Sequence, residues 1–242
     1  MEIKNLMIKN VFWIIITILF SNFFNTAYAQ QTVFNVPSAD VTEKDHVFLQ
    51  QEGQFRAWDP GAFFLGTTYS AYGIGHNTEI DATLFNVGAP STNNITIGSG
   101  FKSAIPIAGL RAKYPKREYK FTVGSQVLSS LQSQGVGNWS YGHLSGRLPK
   151  TNTRLTSGVS IGTKQLFGTN QACYIGAIEQ PVTKRLSVIS DWYSGSEHFA
   201  GFLITGIAYS YPKNKTLYLG YQIPNSSRCG KSGFVVEFAK VF

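Results

Sequence analysis

The segment WSYGHLSGR, Trp139 to Arg147, sets His143 and Ser145 two residues apart. On an extended chain that spacing puts both side chains on one face. An imidazole within reach of a hydroxyl can take its proton, and the serine then becomes a nucleophile for acyl transfer. Asn152, on the following turn, is where a group orienting the imidazole would be sought. The competing reading is an ordinary wall histidine, because an H-x-S spacing arises readily by chance. His46, His76 and His198 show no metal-ligand spacing, and the chain carries no phosphate loop or other cofactor motif, so no metal or cofactor is expected.

A second set of chemistry-bearing residues is charged. Glu79, Asp81, Lys102, Glu118, Lys120, Arg154, Lys164, Glu179, Asp191 and Glu237 oppose apolar neighbours within short segments. In NTEIDATLFNVG, Ile80, Ala82 and Leu84 fall on one face and Glu79, Asp81 and Thr83 on the other. REYKFTVGSQVL and TRLTSGVSIGTK alternate in the same way. Mixed charges gathered in a confined space pair with one another or set a field across it, so these ten are candidates to line a lumen and select small polar or anionic solutes.

Residues that alternate with period two must be positioned by strands with one polar and one apolar face. The chain breaks into twelve such segments: 46–58, 62–74, 77–87, 94–105, 117–129, 138–147, 153–165, 171–181, 185–194, 200–211, 215–223 and 232–242. Between them stand turn clusters such as DPG, GHN, GAPSTNN, SQGVGN and PNSSRCGKS. The composition agrees: 24 glycines, 14% aromatics and only 14% charged residues suit strands and tight turns. Each segment is near the 9–11 residues of a tilted membrane-crossing strand. Trp58, Phe63, Trp139, Tyr141, Trp192, Tyr193, Tyr209 and Tyr211 recur near segment ends, where interfacial girdles fall. The fold expected is all-β, an antiparallel up-and-down transmembrane barrel of about twelve strands, with a water-soluble β-sandwich as its rival.

The N-terminus speaks for export. Lys4 and Lys9 precede the apolar run Val11 to Phe20, and Ala27-Tyr28-Ala29 gives a small-x-small cleavage site. Residues 1–29 therefore read as a signal peptide, 30–45 as an N-terminal extended segment and 46–242 as the barrel domain. The two cysteines, Cys173 and Cys229, are expected to form one disulfide in an oxidising compartment. The formal charge of +8 points to anionic solutes or an anionic surface, and nothing resembles a nucleic-acid module.

The closing segment GFVVEFAKVF carries Phe234, Val236, Phe238 and Phe242 on one stripe, with Lys240 interrupting it. With the leader and the twelve alternating segments, this terminal stripe resembles bacterial outer-membrane β-barrel proteins. The segment Tyr72 to Gly88 is similar to a hairpin of transporter-like barrels of the meta-pathway phenol-degradation type. The resemblance implies an outer-membrane location, lipid neighbours, both termini in the periplasm, and a terminal stripe read by the barrel-insertion machinery. The His143, Ser145 pair resembles that of outer-membrane phospholipase A and the lipid A deacylases, although Gly146-Arg147 stand where the phospholipase has Asn-Gly. Three readings follow: a channel or transporter-like barrel for small solutes, an acyl hydrolase using His143 and Ser145, and a soluble secreted binding protein.

Overall fold

The structure, a computed structural model, describes residues 32–56, 63–89, 95–113, 118–132, 135–169, 171–196 and 201–242. The leader assigned to 1–29, Trp58, His198 and the Phe63 side chain lie outside the described residues.

Twelve antiparallel strands form one closed barrel in simple up-and-down order. They are β1 (Val47–Arg56), β2 (Phe63–Gly75), β3 (Thr78–Ala89), β4 (Thr96–Pro106), β5 (Lys120–Ser130), β6 (Val136–Arg147), β7 (Arg154–Gly162), β8 (Ala172–Pro181), β9 (Leu186–Tyr193), β10 (Phe202–Tyr211), β11 (Lys215–Pro224) and β12 (Gly233–Val241). Prolines close β4, β8 and β11, where a missing N–H ends a ladder without loss. His76 and Asn77 both take positive φ between β2 and β3, as do Lys213 and Asn214 between β10 and β11, the backbone a tight hairpin requires. The seam pairs β1 with β12 from Phe48 opposite Val241 to Phe55 opposite Phe234, so no sheet edge is left open. Among the described residues two short α-helices sit in connections, α1 (Ala108–Lys113) and α2 (Lys164–Phe167). We call the rim where β1 begins and β12 ends proximal, and the opposite rim distal.

The barrel is turned inside out relative to a soluble protein. Ile80, Phe101, Val127, Val159, Ile178, Leu219 and Phe238 stand exposed around the outer wall, while Glu79, Lys102, Arg154, Asp191 and Glu237 are buried inside. A solvent-facing apolar band of this kind is stable against hydrocarbon, not water, and a closed ladder is what hydrocarbon demands of the backbone. The soluble sandwich is thereby set aside. On β12, Phe234, Phe238 and Phe242 face outward as the terminal stripe requires, with Val236 half-buried between them. Lys240 bends its ammonium over the Phe242 ring at 3.7 Å, a cation–π contact that accommodates the charge beside the apolar stripe.

Some expectations change. Trp139, Tyr141 and Tyr193 turn into the lumen rather than to a girdle, because their strand positions share the face of His143 and Asp191. Trp192 and Tyr211 do stand exposed near strand ends, together with Tyr72, Tyr174, Tyr221 and Phe234, and Tyr209 is half-buried. The expected disulfide is not formed. Cys173 and Cys229 do lie at the same distal rim, but Cys173 packs with Val36 and Ile175, and Cys229 with Phe202. Each sulfur is held in a separate apolar cluster.

Candidate functional site: a lumen crossed by the N-terminal segment

Residues 32–45 do not trail from the barrel; they run through it. The segment enters beside Gly73 at the proximal rim, where Asp45 N–H donates to the Gly73 carbonyl at 2.9 Å. Val33, Phe34, Val36, Ser38, Ala39 and Thr42 are all buried, and their partners come from walls on every side. Its tip is a tight turn, closed by Val33 N–H to the Val36 carbonyl at 2.9 Å and by the Thr32–Pro37 bridge. Three successive N–H groups of this turn, from Phe34, Asn35 and Val36, donate to one oxygen of Asp191 at 2.9, 2.7 and 2.7 Å. Convergent amides of this kind form an anion nest, and here the anion is supplied by β9. Tyr193 donates its hydroxyl to the Asn35 carbonyl at 3.2 Å.

Apolar packing seats the same turn. Val33 and Phe34 join Phe48, Ile189, Ile204 and Val235, residues of β1, β9, β10 and β12. The Phe34 ring meets Tyr218 edge-on and lies against Gly220, where a Cβ would sit 2.7 Å from its Cζ atom. Only a residue without a side chain leaves room there. Gly220→Leu is expected to push Phe34 off its seat and to lower stability by about 1–3 kcal/mol. Urea titration reads the loss, and proteolysis confined to the N-terminal segment reads the displacement.

Nearer the proximal rim the segment is held by charge. Arg154 donates from both terminal nitrogens to Asp40 at 2.8 Å, and its Nε lies 3.3 Å from Glu179. Lys120, half-buried, donates to the Ala39 carbonyl at 3.1 Å. Burial pushes the Asp40 carboxyl upward, but Arg154, Lys120 and Arg147 outweigh it and hold the group below the usual carboxylate range. This latch therefore stays ionised at neutral and mildly acidic pH. Two residues closer to the entry along the chain, Thr42 N–H donates to Glu79 at 2.6 Å, and the other Glu79 oxygen pairs with Lys102 at 3.2 Å, both side chains fully enclosed. Gln126 donates to Asp81 at 2.8 Å.

The remaining candidates divide. Glu237 accepts from Gln50 at 2.8 Å inside the barrel. Glu118 and Lys164 do not reach the lumen, because β5 begins only at Lys120 and β7 ends at Gly162. Glu118 is an exposed partner of Arg147 at 2.7 Å, and Lys164 opens α2 on the distal rim. His143 and Ser145 share the inner face of β6, yet among the described residues neither ring nitrogen of His143 has a hydrogen-bond partner, so Ser145 and Asn152 do not engage it. Asn152 serves its turn instead: its φ is 56° and its carbonyl accepts from Arg147. A lipid hydrolase needs its pair where lipid can reach, and this pair faces the lumen.

Sequence reasoning missed Asp40, Glu52 and the bulge at Asn86. Asp40 lies in a segment with no strand periodicity. Glu52 points inward, accepting from Gln54 at 2.8 Å, but its strand carries Gln51 and Gly53 on the outer face, which blurs the alternation. At Asn86 (φ 65°) the β2–β3 register slips, so Phe85 and Asn86 both turn inward.

Above the segment's tip the distal half of the lumen opens into a cavity of about 390 Å³, with Asn35 in its floor and Trp139, Tyr193 and Phe202 in its walls. A smaller cavity of about 90 Å³ continues downward between the segment and the β1–β6 wall, lined by Phe34, Glu52, Gln126 and Tyr141. The segment is thus seated on one side of the barrel and leaves space along the other.

No protein-family model matches the chain, and no curated protein matches it in sequence. Its fold is shared with solved barrels. The KdgM porin superposes with a TM-score of 0.53 at 12% identity, over 81% of this chain and 99% of its own. The same porin in complex with disordered oligogalacturonate gives 0.50 at 10% identity, over 81% and 99%. Omp33 of Acinetobacter baumannii gives 0.47 at 9% identity, over 83% and 98%. At these identities the likeness is one of fold alone: the chain is a closed twelve-stranded antiparallel β-barrel, the architecture it shares with the KdgM porin.

Proposed function

We propose that this chain is an outer-membrane channel for small solutes whose lumen is narrowed by its own N-terminal segment. The observation that carries the reading is the polarity of the closed barrel, apolar outside and charged within, with one cavity above the segment's tip and a smaller one beside it that share Asn35, Glu52 and Trp139 in their linings. In this reading residues 1–29 are a cleaved leader and the proximal rim faces the periplasm. Lipid surrounds the outer band, and the Phe234, Val236, Phe238, Phe242 stripe is what the insertion machinery reads. Glu79, Asp81, Lys102, Arg154, Glu179, Asp191 and Glu237 line or brace the passage.

Purified mature protein, shown to be folded by heat-modifiable gel mobility, is expected to give discrete ion currents across planar bilayers and to admit small solutes into liposomes. Folded protein that gives neither current nor flux overturns the proposal.

A further inference from the structure

The chain as a whole is basic, yet its lumen holds more acids than bases. Among the described residues each base on the inner wall is engaged with an acid: Lys102 with Glu79, Arg147 with Glu118, and Lys120 and Arg154 with Asp40. Glu52, Asp81, Asp191 and Glu237 also face inward and are buried, and among the described residues none of these four is in an ion pair. Charge of one sign held between low-dielectric walls draws counter-ions into the space beside it.

Glu52 is where that charge meets open space. Asn35, Glu52, Thr67, Phe85 and Trp139 line both the 390 Å³ and the 90 Å³ cavity, and Glu52 is the one charged side chain among them. It is also the one charged residue in the described lining of the smaller cavity. One Glu52 oxygen accepts from Gln54 at 2.8 Å; the other has no partner among the described residues and is not sealed from the cavities. The residue is only 7% exposed, so salt and water screen it little. Glu237 stands directly opposite on β12, and Asp191 is near enough to repel both.

Arg228 lines the larger cavity alone, on its distal side. The register sets Glu52 level with Glu237 and Tyr218, six residues, or about 20 Å of strand, short of the end of β11 at Pro224. Arg228 lies beyond that end and is exposed. It bears on the mouth, and Glu52 on the depth.

We infer that the lumen selects small cations over anions and that Glu52 is the residue that sets this selectivity. A cation at the level of Glu52 meets an unoccupied acceptor oxygen and the rings of Phe85 and Trp139, whereas an anion meets the same carboxylate with no base beside it. The inference rests on the channel reading, since selectivity is a property of passage. It turns that reading away from the anionic solutes that the chain's net charge favours.

Two measurements test it, and one of them needs no current. In planar bilayers under a KCl gradient, the reversal potential is expected to report potassium passing at least tenfold more readily than chloride, a difference of about 1.4 kcal/mol. Glu52→Gln is expected to bring the two permeabilities close to equality. In detergent, Asn35→Cys in a Cys173→Ala, Cys229→Ala background sets a thiol in the lining of both cavities. Its rates with a trimethylammonium-bearing and a sulfonate-bearing methanethiosulfonate are each divided by the rate with 2-mercaptoethanol. The cationic reagent is expected to be favoured at least tenfold, and Glu52→Gln to remove that preference. Equal rates, a preference for the sulfonate, no reaction with either reagent, or a cation preference that survives Glu52→Gln overturns the inference. Should Glu52→Gln lose heat-modifiable mobility, Thr67→Lys, which sets a base directly opposite Glu52, takes its place, and an unchanged cation preference there overturns it. Cation-preferring modification of a barrel that passes no current leaves the role of Glu52 standing and removes the channel. Current without selectivity keeps the channel and removes that role.

Discussion

Removing residues 30–42 is expected to raise single-channel conductance roughly tenfold, because an empty barrel of twelve strands is wider than one filled by side chains. The cut spares Glu43 to His46, so the contacts that start β1 remain: Asp45 N–H to Gly73 and His46 N–H to Glu43. It removes the turn on Asp191, the Phe34 seat and the Asp40 latch together. The barrel itself should still close, since every strand pair lies within 47–241. Asp191→Ala, which takes away the shared acceptor of three N–H groups, should give intermediate behaviour, with brief openings of the larger size. Planar-bilayer recordings of the three proteins decide the matter. Identical conductances would falsify the idea that the segment obstructs the lumen.

The largest effect on stability is expected from Lys102→Met. The Glu79–Lys102 pair is sealed from solvent, and removing its cation strands a carboxylate that keeps, among the described residues, only the Thr42 amide and a long contact to the Tyr69 hydroxyl at 3.4 Å. Breaking one half of such a pair costs about 3–5 kcal/mol, most of it the uncompensated charge. The double change Glu79→Gln with Lys102→Met should recover much of that loss, because it leaves no lone charge behind. Urea unfolding of protein folded into lipid vesicles measures both. A single variant that loses less than about 1 kcal/mol would mean that water reaches Glu79 and that the wall there is wet.

The barrel was legible in the sequence because membrane strands wear their environment openly. Ile80 and Glu79, or Phe121 and Lys120, contrast across one residue, and each contrast names a face. The twelve expected segments match the twelve strands to within a few residues. Reading by parity failed where strands end or slip. Glu118 and Lys164 were counted one turn too far, and Phe85 with Asn86 share a face only because of a bulge. The interior segment was illegible for a different reason. FNVPSAD has no period of its own, and nothing local tells Phe34 that it will lie against Gly220, 186 residues further along the chain. Its conformation is set by walls that exist only once the barrel has formed. The same holds for the disulfide, since a shared rim was a correct inference and the sulfurs' separate packing was not visible in it.

Those walls carry a consequence for assembly. The tip of the segment needs β9 and β11, its middle needs β3 and β7, and its base is continuous with β1, the strand that completes the seam with β12. No half-built sheet offers all of these at once. Seating the segment is therefore a late event that can follow only when the first and last strands have met. An N-terminus hidden from protease is in effect the molecule's own record that its wall has been sealed.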